Sequence, residues 1–147
     1  MMIKTIKATT EVERQAAFAI RKEVFVEEQG VPLADEFDQY DQANDNGADH
    51  ILVYIDEAPV GTGRLRVVEG MAKLERICIL KSQRKHGIGR VIISALEQLS
   101  MDKGLSKAKL HGQKQAEGFY QKLGYYTASD VFMEDGIEHV LMMKELS

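Results

Sequence analysis

Gly87 and Gly89 bracket a single residue in the run QRKHGIGRVI, residues 83–92, and three cations, Arg84, Lys85 and His86, stand in front of them with Arg90 behind. Glycines carry no Cβ, so the backbone N–H groups of such a turn are uncovered and can approach a ligand closely. An apolar run follows at once. Ile88, Val91, Ile92, Ala95, Leu96 and Leu99 recur at helical spacing, and Lys103-Gly104 closes the pattern. The glycines therefore open a helix, whose N-terminus carries about half a positive charge and several unpaired donors. The chemistry this predicts is anion binding.

Nucleotide motifs do not fit that turn. A Walker loop needs Lys and then Ser or Thr after its last glycine, where this chain has Arg90-Val91. The dinucleotide fingerprint needs a third glycine where Ile92 stands, and an acid about 20 residues further on, where the chain reads KAKL. Metal chemistry finds no purchase either. His50, His86, His111 and His139 are scattered with no neighbouring cysteine, and NDNG at 44–47 lacks the acids of a calcium loop, with Gln42 and Val53 at its ends. Cys78 lies mid-strand among Ile77, Ile79 and Leu80, the setting of a buried thiol. His111 ends the strand KLH, where a bond to backbone is the plainer reading and contact with a substrate the other.

The elements that must hold these residues follow from periodicity. MIKTIKA reads as an edge strand and residues 10–28 as a helix with Thr10 as N-cap, broken by GVP at 30–32. His50–Ile55, Val60–Val68 and Lys73–Leu80 read as an antiparallel meander. KAKLH is a strand, QAEGFYQKLG a short helix, and residues 125–146 form two strands joined at Asp135-Gly136. No repeat or linker divides the chain, so one domain over 1–147 is expected.

Composition bounds the function. Hydrophobic residues are 44% and charged residues 29% of 147, with a net charge of −4 and one cysteine. Those values, the absence of a long apolar run and of a signal-like start predict a soluble protein in a reducing cytoplasm, outside the membrane. No basic stripe with interleaved aromatics suggests nucleic acid. From Glu23 to Gly63 there are eleven acids and no Lys or Arg. Such an arm is either a solvated acidic loop or a surface that meets a cation.

R-x-x-G-x-G at Arg84–Gly89 resembles the coenzyme A pyrophosphate loop of the GNAT N-acetyltransferase superfamily, and QKQAEGFYQKLGYY resembles its second conserved-type segment, A-x-x-F-Y-x-x-x-G-Y/F. IRKEVFVEEQGVPLADEFDQYD is similar to the amino-terminal segment of the small bacterial ElaA-like branch. The resemblance spans nearly the whole chain. One position departs from the superfamily: Gln113 stands where Asn is frequent.

The resemblance implies an α/β fold of mixed type, a mostly antiparallel sheet of about six to seven strands flanked by helices and splayed between its fourth and fifth strands. It implies acetyl-CoA as cosubstrate, no metal, and an amine acceptor that would be cationic if it met the acidic arm; a homodimer is left open. Cofactor contacts are then expected from Ile77, Cys78 and Ile79, from Arg84, Lys85, His86, Gly87, Ile88, Gly89 and Arg90, and from Gln113, Phe119 and Tyr120. Gln113, Ala116 and Tyr120 would share one helical face, with Phe119 the core aromatic.

Direct attack on a thioester needs a neutral amine, and a pKa near 10.4 makes that cost about 4.6 kcal/mol at pH 7. The resemblance places the general base at Glu75, with acids of the Glu27–Asp41 segment in reserve; the alternative for Glu75 is an exposed strand carboxylate. Tyr120 suits the general acid, since a phenol near pKa 10 keeps its proton where a thiol near 8.5 does not. Backbone N–H groups at Cys78 and Ile79 would face the oxyanion. The predicted activity is N-acetyl transfer to a primary amine; a non-catalytic acyl-CoA-binding module is the alternative.

Overall fold

The computed structural model describes residues 1–42 and 47–146, so Asn44, Asp45 and Asn46 of the NDNG turn lie outside the described residues. The chain opens with β1 (Ile3–Lys7) and α1 (Glu11–Arg21). Thr10 caps α1 as its residue type predicts: Glu13 N–H donates to Thr10 Oγ1, and Thr10 N–H donates to Glu13 Oε1, each at 3.1 Å. The helix does not run evenly to residue 28. From Lys22 to Glu28 it widens into a π-helical segment, which ends at Gly30 with φ +79°. A short α2 (Leu33–Glu36) follows.

The meander is β2 (Ala48–Ile55), β3 (Ala58–Val68) and β4 (Met71–Ile79). Beyond it come α3 (Ile88–Asp102), β5 (Lys107–Gln113), α4 (Glu117–Lys122), β6 (Tyr126–Thr127), β7 (Phe132–Glu134) and β8 (Ile137–Glu145). The expected pair of strands over 125–146 is thus three: β6 and β7 are both short, and both pair with β8. Among the described residues eight strands make one open sheet in the order β1-β2-β3-β4-β5-β8-β6, with β7 also on β8.

All pairings are antiparallel except β4–β5, and that one is brief. Ala72, Leu74 and the residue between them face Ala108, Leu110 and theirs, and the pairing stops there. Both strands continue, β4 to Ile79 and β5 to Gln113, so they diverge. The splay expected between the fourth and fifth strands is present.

A bulge helps to build it. Arg64 pairs with Glu75 and Thr62 with Cys78, so β4 carries one extra residue, and Arg76 takes φ +54°. Side-chain parity reverses across that bulge. Ala72, Leu74, Ile77 and Ile79 all join the core under α3, whereas Cys78 joins a second cluster with Ala17, Ile20 and Val24 under α1. The main core lies between sheet and α3, with Ile88, Ile92 and Leu96 fully buried. Gly63 permits that approach, since a Cβ there would stand 2.8 Å from Leu96 Cδ1. Among the described residues no helix is long and apolar enough to cross a membrane.

Candidate active site

Where β4 and β5 part, a cleft of about 420 Å³ opens, bounded by β4, the loop before α3, β5, α4, the β7–β8 turn and the π-helical end of the arm. Its floor is backbone. Leu80 N–H donates to Val60 O at 2.9 Å, so strand alternation turns the amides of Ile77 and Ile79 toward the open side. The Ile79 carbonyl is taken, accepting from Arg84 Nε at 3.0 Å. Cys78 is buried, and burial pushes its thiol far above the usual range, so it is no nucleophile.

Gly87 sits at the N-cap of α3 with φ +71°, a left-handed conformation that side chains resist, and nothing lies within 4 Å of where its Cβ would be. This is an open amide cradle on a helix of 15 residues. Ile88 contributes only backbone, because its side chain is fully buried in the core. Arg84, Gly87 and Gly89 line the cleft, while Lys85, His86 and Arg90 stay on the exposed surface of the loop. Arg84 is already partnered: Nη1 and Nη2 donate to the two carboxylate oxygens of Glu28 at 2.7 and 2.6 Å. That hydrogen bonding holds the Glu28 carboxyl below its ordinary pKa.

Of the two aromatics of α4, Phe119 departs from expectation and Tyr120 does not. Phe119 is 39% exposed and lies over the loop, its Cζ 3.0 Å from where a Gly89 Cβ would be. Tyr120 is the buried one, packed against Gly112 and lining the cleft, and burial pushes its phenol up to about 12. Gln113 ends β5 rather than riding a helix; it still lines the cleft with Ala116 and Tyr120, and its Nε2 donates to Gln29 Oε1 of the arm at 3.0 Å.

Glu75 is where the sequence expectation fails chemically. Its carboxylate accepts from Arg64 Nη2 at 2.8 Å and Arg66 Nε at 2.7 Å, and Lys73 Nζ lies 3.0 Å away. Burial alone would raise its pKa, but the Arg66 hydrogen bond and the Arg64 and Lys73 charges outweigh burial and hold it at about 2. A carboxylate so engaged is too weak a base to deprotonate an ammonium. It is a structural anchor. Its stabilisation is fully present above pH 4.5, the ordinary value, and is lost as pH falls from there through about 2. Unfolding followed by circular dichroism should therefore show wild type losing stability as pH falls from 4.5 to about 2, whereas Glu75→Gln should be less stable than wild type at neutral pH and change less across that window.

Three acids of the arm, Glu36, Asp38 and Asp41, are engaged in the same way. Arg21 donates to Glu36 Oε2 at 2.9 Å and to Asp41 Oδ1 at 2.7 Å; Arg64 donates to Asp38 Oδ1 at 2.7 Å and Asp41 Oδ1 at 3.0 Å; Arg76 lies 3.2 Å from Glu36. These acids neutralise the protein's own arginines, so they are poor candidates both for a cation-binding surface and for the reserve base. Tyr40 stacks beneath the network, its ring 4.1 Å from the Arg66 guanidinium carbon.

A family model for the acetyltransferase (GNAT) domain matches residues 9–146. The chain belongs to the GNAT acetyltransferase family. Among curated relatives, the uncharacterized N-acetyltransferase YjcF of Bacillus subtilis is 45% identical over 144 residues, covering 97% of this chain and 100% of the relative. A crystal structure from Lactobacillus plantarum superposes with TM-score 0.91 at 32% identity, covering 100% of both chains. Escherichia coli ElaA superposes with TM-score 0.84 at 25% identity, covering 98% of this chain and 100% of ElaA.

GNAT motifs account for the loop and α4, yet they miss the far wall of the cleft. There His111 of β5, Glu134 of β7 and His139 of β8 meet, with His111 Nδ1 2.8 Å from Glu134 Oε1. Hydrogen bonding from His111 lowers the Glu134 pKa. His111 thus bonds a carboxylate rather than backbone. Strand alternation carries the only signal: with Asp135-Gly136 as the turn, the hairpin must return beside KLH. Among the described residues no group of three or more His, Cys, Asp and Glu is placed to hold a metal.

Proposed function

We propose that this GNAT protein transfers an acetyl group from acetyl-CoA to a primary amine by direct attack within a ternary complex. The observation that carries the reading is a single cleft that runs from the end of β4–β5 pairing at Leu74 and Leu110 to the glycine turn at Gly87–Gly89. A pantetheine arm can pair with the Ile77 and Ile79 amides as an added strand would, while the diphosphate occupies the helix N-terminus. Tyr120 hands a proton to the leaving sulfur, and the Ile79 N–H faces the oxyanion; Cys78 N–H does not share that role as expected, because Cys78 pairs with Thr62 and alternation turns its amide toward β3.

Thiol release from acetyl-CoA across amino sugars, polyamines, lysine and a free peptide N-terminus tests this reading. Release with at least one class supports it. Heat of acetyl-CoA binding without release for any class supports a non-catalytic acyl-CoA-binding module instead, and no heat rejects both. Because a diphosphate must compete with Glu28 for Arg84, Glu28→Gln should tighten acetyl-CoA binding severalfold by calorimetry, in line with about 0–1 kcal/mol for an exposed ion pair.

A further inference from the structure

The wall of the cleft that Tyr120 also lines holds a pair of histidines around one carboxylate. Glu134 Oε1 lies 2.8 Å from His111 Nδ1, and Oε2 lies 3.6 Å from His139 Nε2. The two histidines are not equivalent. His139 has its Nδ1 2.7 Å from the Ile137 carbonyl and its Nε2 turned to Glu134, with its side chain only 8% exposed. His111 has its Nδ1 committed to Glu134 and its side chain 32% exposed at the cleft. The carboxylate selects the tautomer protonated at Nδ1, which leaves Nε2 of His111 as a basic lone pair. The edge of the Phe132 ring, 5.1 Å between centroids, steadies the imidazole.

We propose that His111 is the general base of the transfer and Glu134 its positioning residue, a proposal that rests on the acyl-CoA reading above. His111 Nε2 takes one proton from the acceptor ammonium; the freed lone pair attacks the thioester carbon and the C–N bond forms. The C–S bond then breaks, the sulfur leaves with the electron pair and takes a proton from Tyr120. The amide nitrogen loses its second proton to solvent, solvent reprotonates Tyr120, and His111 releases its proton to solvent. Charged groups around the imidazole are Glu134 from β7, His139 from β8, Lys109 on its own strand, and Lys73 with Glu75 from β4, the last two paired with each other at 3.0 Å.

The test is the pH dependence of kcat/KM, pH 5.5 to 9, for whichever amine in the panel above releases most thiol. His111→Gln should lower kcat/KM about a hundredfold or more, abolish the acid limb, leave acetyl-CoA affinity by calorimetry unchanged, and recover partly with added imidazole. Glu134→Gln should cost about tenfold in kcat with the KM for the amine and the acetyl-CoA affinity unchanged, because the imidazole loses the partner that orients it, and Glu134→Asp should recover part of the loss. If His111→Gln fails to fold, His111→Asn and the kcat loss of Glu134→Gln carry the same readout. Activity within severalfold of wild type with an unchanged limb overturns the base assignment alone. Wild type that releases no thiol with any amine overturns the functional reading and this proposal with it.

Discussion

Tyr120→Phe should lower kcat by about a hundred- to a thousandfold while leaving acetyl-CoA affinity and folding stability close to wild type. The ring is held by packing against Gly112, which the substitution preserves, and the only atom lost is the hydroxyl of a residue that lines the cleft. Burial raises the phenol to about 12, so it is protonated over the whole working pH range. That value also sets how it acts. Transfer from a phenol about 3.5 units above an ordinary thiol is uphill by about 5 kcal/mol even to the free thiolate, so Tyr120 stabilises the developing charge by donating a hydrogen bond, and the proton transfer completes only as solvent reprotonates the phenol. Single-turnover thiol release with saturating amine measures the effect; undiminished release removes Tyr120 from the chemistry and leaves the fold untouched.

The other large effect is on stability. Arg64 is 1% exposed and donates to Glu75, Asp38 and Asp41. Removing one cation from such a buried cluster leaves carboxylates facing one another without solvent, at a cost of about 3–5 kcal/mol. Arg64→Ala should accordingly lower Tm by roughly 10 °C for a chain of this size. Arg64→Met, which keeps the volume, should recover little of the loss, because the uncompensated charge dominates. The arm contributes half of this network, so the same variants should expose residues near Glu36–Asp41 to proteolysis well below the unfolding temperature. Wild-type stability in Arg64→Met would mean that packing, not charge, holds the arm.

Local features of the site were legible in the sequence. The glycine turn, the α3 stripe and the Thr10 cap each depend on residues within a turn or two of one another, and each stands where the pattern places it. Partnership across strands was not. Glu75 meets Arg64 from 11 residues away and Arg64 meets Asp38 from 26, and whether an acid on a strand is a base or an anchor depends on those partners. The bulge at Arg76 was hidden because positive φ is uncommon outside glycine, yet it reverses which face each later β4 side chain serves. His111 and Glu134 belong to strands whose pairing only the hairpin register brings together. Phe119 and Tyr120 are adjacent aromatics, and which of them lies over the loop and which is buried is settled by Gly89 and Gly112, against which they pack.

A crystal structure with acetyl-CoA tests the central claim most directly. The account predicts the diphosphate within about 3 Å of the Gly87–Gly89 amides, the pantetheine between β4 and β5, and the thioester between Tyr120 and His111. A diphosphate bound elsewhere, with β4 and β5 empty between Glu75 and Ile79, would contradict it.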